Sequence, residues 1–342
     1  MDLNIVYQMF MELSRNEQET FLSKIQNPIE EENLDFKNYQ ELILNHSKSN
    51  LQDRIECPYC HSIHVIKNGH KDGKQRFKCK HCNHTFTWTN NTIIYNSKKK
   101  LDVWNKYCEC FMNKFSLRKC AYICKIDPHT AFNWRHKILD ALQNMHSEIH
   151  LNGIIESDET YFKLSFKGAR NLFKPNHRGS RSTKRGISNE LVCVPCSVNY
   201  DGLSIGRITN LGNPNISDLK KLLNDNHIIK NSIFVTDSLN CYDSISDDLE
   251  LTHVKIPSGK FTNGQFNIQK INSYHSELKR LVNRNFKGVA TKYLNNYVVY
   301  HNFVNWAKGS FTALLGILKD FVYTTVCNTR GYKIVERFAV PV

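Results

Sequence analysis

A chain of 342 residues, 40% hydrophobic and 11% aromatic, has apolar side chain enough for a core in about two or three domains; wholesale disorder, collagen-like repeats and a mini-protein are excluded. Lys and Arg number 46 against 32 Asp and Glu, a formal charge of +14, so polyanions, nucleic acid first, are the partners this composition favours. The N-terminal residues mix acids with apolar side chains and lack a basic n-region and a cleavage site, and no run nears the roughly 18 apolar residues of a membrane span. The expectation is a soluble, cytoplasmic protein without a membrane partner, whose twelve cysteines serve as thiols or metal ligands rather than disulfides.

In chain order, residues 1–50 alternate apolar and acidic side chains at helical spacing and predict two short helices, with a break at Asn27 and Pro28. Residues 51–95 are rich in Cys, His and Lys, with Gly69 and Gly73 as turn signals. Cys57, Cys60, Cys79 and Cys82 form a C-x2-C, 18-residue, C-x2-C pattern. Two such knuckles aim four thiolates at one metal, the spacing of a structural four-cysteine zinc site with no ligand position left open. His61, His64, His70, His81 and His84 are further ligand types, none of them needed. Lys67, Lys71, Lys74, Arg76, Lys78 and Lys80 give this module a positive face suited to DNA.

Residues 96–150 predict three helices: one over Leu101 to Phe115, a second begun by Ser116, and a third with Asp127 as N-cap and Pro128 at its first position. The spacing suits a helix-turn-helix, whose third helix would offer Thr130, Asn133 and Arg135 to DNA; a generic three-helix bundle has the same pattern. Cys108, Cys110, Cys120 and Cys124 fall in these helices as small core residues.

From Gly153 the texture turns to β, in GIIESDETYF, LVCVPCSVNY, SIGRITNL and SIFVTDS, with a hairpin turn at Asn199 to Gly202. Helical periodicity over 214–226 and 270–283 makes this half α/β, a mixed sheet with flanking helices. Between the first two strands, 163–189 carries eight Lys or Arg and no acid, either a solvated loop or a phosphate-binding arm. Asp158 lies in the first strand and Asp237 closes another, where open sheets keep their sites. On the helix that follows, Asn272, His275 or Ser276, and Lys279 share one face; Glu277 points away.

The order of zinc ribbon, helix-turn-helix, ESDETYF, the Lys184-Arg185-Gly186 segment, VTDSLNCY and INSYHSELKR resembles bacterial insertion-sequence transposases of the zinc-ribbon, DDE-type branch, over about residues 55–305. The resemblance implies a ribonuclease-H-like catalytic domain over 151–310, preceded by the ribbon and a helix-turn-helix domain (96–150) and followed by a tail, 311–342. It implies binding of double-stranded DNA at terminal inverted repeats and at a target, with Lys184 and Arg185 among the contacts. It also implies metal-dependent cleavage and strand transfer, and at least a dimer on DNA. Asp158 and Asp237 match the family's aspartates; Asn272 stands where many relatives carry Glu. Those three would hold two Mg²⁺ or Mn²⁺ ions, and Lys279 a phosphate, since ammonium has no lone pair. An amide oxygen can ligate Mg²⁺ but brings no charge, so binding there should be weaker. Glu277 rivals Asn272 as third ligand, and Glu159 is a weaker rival because it faces the opposite side of its strand from Asp158. A DNA-binding regulator descended from such an enzyme, or a metal-dependent nuclease without strand transfer, would share these motifs.

Overall fold

A computed structural model describes residues 55–338 apart from 72–73, 88, 147–148, 170–181, 225–226, 261, 307–310, 326, 328 and 330, with backbone alone for 74, 144–145, 306, 324 and 332. The helices expected in 1–50, the turn at Gly73 and most of the basic loop lie outside the described residues.

The cysteine module is a three-stranded antiparallel sheet of β1 (Val65–Lys71), β2 (Lys74–Cys79) and β3 (Thr85–Thr87). Its core is small: Phe77 pairs with Phe86 across β2 and β3, rings 5.8 Å apart, beside buried Cys57 and Cys79. Two phenylalanines cannot stabilise so small a unit, which is why it needs a cross-link. Gly69 lies within β1, not at the turn expected for it; its φ of +67° fits the irregularity in register between Lys67 and His70.

Three helices follow, α1 (Leu101–Met112), α2 (Leu117–Cys124) and α3 (Pro128–His146). The Ser116 hydroxyl accepts the Lys119 N–H and starts α2. Lys125, left-handed at φ 51°, ends it, so that the Ile126 N–H closes on the Ala121 carbonyl at 3.0 Å. Asp127 then caps α3 by accepting the His129 N–H at 2.8 Å. The bundle closes on aromatic rings: Trp104 stacks on Trp134 at 3.6 Å and Tyr107 meets Trp134 edge-on at 5.4 Å. Cys108, Cys110, Cys120 and Cys124 are buried here.

The second half is built on a five-stranded sheet of β4 (Ile154–Lys163), β5 (Leu191–Asn199), β6 (Ser204–Gly206), β7 (Ile233–Thr236) and β8 (Thr252–Lys255). Its order is β6-β5-β4-β7-β8, with β4, β5 and β6 antiparallel and β7 and β8 parallel to β4. β5 is buried along nearly its whole length, matching its unbroken apolar run. Between β5 and β6 the Gly202 N–H bonds the Asn199 carbonyl at 3.2 Å, with Gly202 at φ +91°, the hairpin turn expected there. Around the sheet lie α4 (Ile216–Lys220), α5 (Cys241–Asp248), a hairpin of β9 (Thr262–Asn263) and β10 (Phe266–Asn267), and α6 (Gln269–Arg280). A π turn, Leu281–Asn285, then leads to α7 (Thr291–Trp306), α8 (Phe311–Thr324) and α9 (Gly331–Val335). Helical pattern over 214–226 yields only the five-residue α4, started by an Asn215 and Asp218 capping box. No helix among the described residues is long and apolar enough to cross a membrane.

Helix α7 joins the two halves, packing on α3 and on β6. A single buried cation marks the junction. Arg135 of α3 is 1% exposed, donates to the Phe115 carbonyl at 2.7 Å, and lies over the rings of Phe111 (5.1 Å) and Phe286 (5.0 Å). The π turn brings Phe286 there, its N–H reaching back to the Leu281 carbonyl at 3.1 Å. At the sheet, a methyl group added to Gly206 would come 2.8 Å from Val298 of α7 and 3.1 Å from the Cys196 sulfur. Gly206→Ala should therefore cost about 1–3 kcal/mol by overpacking. Thermal unfolding checks this, and an unchanged midpoint would mean that α7 is not seated against β6 this closely.

Candidate metal centre and active site

In the cysteine module the Cys57 and Cys82 sulfurs are 3.5 Å apart and those of Cys60 and Cys79 3.6 Å, with all four within 4.8 Å. Tetrahedral zinc at 2.3 Å from each sulfur would set them about 3.8 Å apart, so the quartet fits that ion. The knuckle is built as such sites require: the Cys79 sulfur accepts the backbone N–H of His81 at 3.3 Å and of Cys82 at 3.5 Å. The Cys82 N–H first, then that of His81, draws the Cys79 thiol down to about 6 against the cost of burial. Among the described residues this is the only set of three or more His, Cys, Asp or Glu ligand atoms so close together.

The acidic residues meet through strand register. Because β4 and β7 are parallel with Ser157 opposite Thr236, Asp158 and Asp237 are the next residues on adjacent chains. Burial first, with the charge of Asp237 adding, raises the Asp158 carboxyl to about 6 even though its oxygen accepts the Glu159 N–H at 2.8 Å. The Asp237 carboxylate accepts the Leu239 N–H at 3.0 Å, which fixes its place where β7 ends.

Side chains alternate along β4, and the two neighbouring acids meet different helices. Asp158 meets α6, with the His275 Nδ1 3.8 Å from its carboxylate. Glu159 meets α5, where the buried Tyr242 hydroxyl donates to it at 2.5 Å; burial foremost raises Glu159 to about 7. Lys279 acts electrostatically on both Asp158 and His275, so it lies on the site's side of α6. Asn272, one turn before His275, is exposed at the start of that face, whereas Glu277 is exposed beside Arg280 at 4.0 Å. His275 is 7% exposed and its Nε2 has no hydrogen-bond partner; burial foremost, then Lys279, lowers it to about 4.

Glu156 was not among the residues singled out in the sequence. Fully buried on β4, two residues from Asp158 and so on the same face, it accepts the Ile271 N–H at 3.0 Å and seats the N-terminus of α6. The signal was in ESDETYF: alternation sets Glu156 beside Asp158, and a carboxylate facing inward requires a partner.

The expected DNA contacts are dispersed. Lys67 is exposed on β1, Arg76 is half-buried with its Nε on the Asn68 carbonyl at 3.0 Å, and Lys74 opens β2. Lys184 and Arg185 are exposed in a segment held to the sheet by Glu190, which accepts from Ser182 Oγ at 2.5 Å and the Thr183 N–H at 2.7 Å. Thr130 is half-buried near the start of α3. Two expectations are corrected. Arg135 is a core residue and cannot reach DNA. Asn133 bonds the His129 ring at 3.2 Å and packs against Gly331 rather than facing outward.

Residues 150–303 match the family model described as an ISXO2-like transposase domain. This stretch is an insertion-sequence transposase domain. Over 248 residues, 71% of this chain and 83% of the relative, the protein is 25% identical to an uncharacterized protein in transposable element ISH50 of Halobacterium salinarum. A chain in the crystal structure of a pre-cleavage Mos1 transpososome covers 65% of this chain and 79% of its own length, at 8% identity and a TM-score of 0.24, too slight a likeness to bear on fold or function.

The raised carboxyl in the transposase domain has a consequence for stability. A carboxyl whose folded pKa, about 6, exceeds its ordinary 3.8 stabilises the fold below pH 3.8, and that contribution is lost as pH rises through 6. In magnesium-free buffer at pH 7, Asp158→Asn should therefore stabilise the protein by about 2–3 kcal/mol. Denaturant midpoints at pH 4 and pH 7 check this, and an equal effect at both would mean that burial and the charge of Asp237 do not raise the Asp158 carboxyl. At the cysteine quartet, Cys57→Ser with Cys82→Ser should abolish stoichiometric zinc, read by metal analysis of the purified protein.

Proposed function

We propose that this protein is a DNA transposase that binds the terminal inverted repeats of an insertion sequence and catalyses metal-dependent strand cleavage and strand transfer. The observation that carries this reading is the adjacency of Asp158 and Asp237 on parallel strands, with His275 of α6 3.8 Å from Asp158 and the charge of Lys279 acting on it; by helical spacing Asn272 would share that side of α6. The sheet order supports a ribonuclease-H-like scaffold: three antiparallel strands, then two parallel to the first.

The donor set of two carboxylates and an amide oxygen suits hard divalent cations. Asp158, Asp237 and Asn272 would hold two Mg²⁺ or Mn²⁺ ions, which when bound supply the Lewis acidity that activates water or a DNA 3′-hydroxyl. Lys279 would neutralise a phosphate beside the scissile one. Glu156 would keep α6 in register with β4, so that Asn272 and Lys279 approach one substrate together. Glu277 is the weaker third ligand, since it lies off that face beside Arg280.

Upstream, the ribbon with structural zinc and the three-helix unit would bind duplex DNA, with Lys67, Lys74 and Arg76 on the ribbon and Lys184 and Arg185 on the loop before β5 as phosphate contacts. Paired ends call for at least a dimer on DNA. A second reading, a repeat-binding regulator without catalysis, is favoured by one feature: Asn272 supplies an amide where a third carboxylate would hold metal more tightly.

Strand joining of a labelled terminal-repeat duplex into a plasmid, in Mg²⁺ or Mn²⁺, tests the reading. Product that disappears with Asp158→Ala or Asp237→Ala is expected. Repeat-specific binding with no cleavage or joining in either metal would favour the regulator. Asn272→Ala should raise the Mg²⁺ concentration needed for half-maximal joining more than Glu277→Ala does; the reverse order would move the third ligand to Glu277.

A further inference from the structure

The face of α3 formed by Asn133, Lys137 and Asp140 is covered by the chain's own C-terminal segment. Gly331 lies so close to Asn133 that a methyl group on it would come 3.2 Å from the amide oxygen, and the Cys327 sulfur reaches the Lys137 carbonyl at 3.5 Å. Asp140 accepts from Thr329 Oγ1 at 2.7 Å and, through both oxygens, from one guanidinium nitrogen of Arg337 at 2.6 Å, a charge-assisted contact. A duplex could reach this face only by displacing the segment.

On α2, by contrast, the same unit has an open groove. It measures ≈ 670 Å³ and is lined by Lys106 of α1, Arg118 and Tyr122 of α2, Lys125 of the following turn and Pro128 of α3, with no carboxylate in its lining. Lys106, Arg118 and Lys125 are exposed, and none has an ion-pair partner among the described residues. Tyr122 is 85% exposed, projecting an aromatic ring and a hydroxyl from a helix whose other large apolar residues are at least half-buried. Of the nearby acids, Asp127 caps α3 and Glu109 pairs with Lys319 at 2.8 Å, while Asp102, one turn before Lys106 on α1, is exposed outside the groove's lining. Three unpaired cations around a concave surface, with a phenol between them, complement a run of backbone phosphates.

We propose that the three-helix unit binds duplex DNA through this α2 groove, with Lys106, Arg118 and Lys125 on consecutive phosphates and Tyr122 donating its hydroxyl to the sugar-phosphate backbone, rather than through the covered face of α3. The inference rests on the DNA-binding reading above and names the surface and the chemistry of contact. Contacts of this kind fix the position of the protein on the duplex and carry no base sequence, so the surface serves repeat and unrelated DNA alike.

The test uses the full chain and fluorescence anisotropy with two labelled duplexes, the terminal repeat and an unrelated sequence, at salt between about 50 and 200 mM. The variant is Lys106→Gln, Arg118→Gln, Lys125→Asn, asparagine being chosen because it tolerates the left-handed backbone. A control removes the same charge elsewhere: Lys220→Gln, Lys221→Gln, Lys230→Gln, each of them ion-paired to an acid in this structure. Expected is a slope of log affinity against log salt shallower by about 2.7, three contacts at about 0.9 each, for both duplexes, with the control near wild type. Tyr122→Phe should weaken both duplexes to the same degree.

An unchanged slope in a wild-type background that binds DNA overturns the inference, as does loss confined to the repeat duplex. An equal effect of the control would mean that only net charge matters, and it overturns the inference too. Wild-type protein that binds neither duplex would instead remove the DNA-binding reading itself. A change in oligomeric state with unchanged DNA affinity would reassign the groove to a second copy of the chain. Melting curves of each variant separate these outcomes from misfolding; the single change Arg118→Gln, expected to lower the slope by about 0.9, stands in should the triple variant fail to fold.

Discussion

Parallel pairing of β4 with β7 is the constraint on which the transposase domain depends. Its register leaves no freedom: with Ser157 opposite Thr236, two aspartates that are 79 residues apart in sequence must sit side by side. Burial of a carboxylate is unfavourable, the charge of Asp237 beside it adds to the cost, and the raised Asp158 carboxyl records both. The surrounding structure has to hold the pair against that repulsion. It does so with backbone: Glu159 N–H on Asp158, Leu239 N–H on Asp237, and a sheet buried behind both. Glu156 extends the same logic to α6, since its carboxylate engages the free N–H groups at the helix start and so sets which face of the helix looks at the pair. Such arrangements trade stability for a geometry that cations can use.

The second organising feature is the burial of Arg135. A guanidinium remains charged at any physiological pH, and here no carboxylate faces it. Its compensation is a carbonyl, the Cys120 sulfur at 3.3 Å, and the faces of Phe111 and Phe286. These partners come from α1, the turn before α2, α2 itself and the π turn after α6, so the cation holds the three-helix unit to the transposase domain. Tyr300 stacked on Phe111 at 4.4 Å and Phe286 against Tyr297 at 4.9 Å complete the junction with α7. A helix unit welded in this way has a fixed outer surface, and that surface is whatever α7 and the C-terminal segment leave open.

Local signals were legible in the sequence where one short stretch specifies one geometry. The cysteine spacing, the Ser116 and Asp127 caps and the Asn199 to Gly202 turn each rest on residues a few positions apart, and each is present. Strand β8 and helices α5 and α7 were not read: β8 is four residues long, and α7 is buried around much of its circumference with Asn296, His301 and Asn302 among its buried residues, without the one-sided apolar stripe that marks a surface helix. The reading of Arg135 and Asn133 as DNA contacts failed for a related reason. Helical position shows that residues share a face but not which other element, 150 or more residues away, covers it. Arg135 looked exposed because arginine usually is. Glu156, equally decisive for the site, was passed over because its partner is a backbone N–H, which leaves no trace in side-chain chemistry.

Charge balance gives the neutral third position of the proposed site a physical sense. Asp158 and Asp237 supply two negative charges, and Glu159, raised to about 7 and bonded to Tyr242, holds a further carboxylate partly protonated close by. A glutamate at 272 would add another anion to a cluster already raising Asp158, in a place where a polyanionic substrate must approach. In the proposed site an amide would keep an oxygen donor there without that repulsion and would leave the positive charge of any bound cations less neutralised for a phosphate. Lys279 on the same face acts in the same direction, since it favours the charged form of Asp158 and attracts phosphate. In the proposed site Asn272 and Lys279 would thus form one electrostatic solution, in which weaker metal binding would be exchanged for stronger attraction of the nucleic acid, and substituting either alone would disturb the balance held by the other.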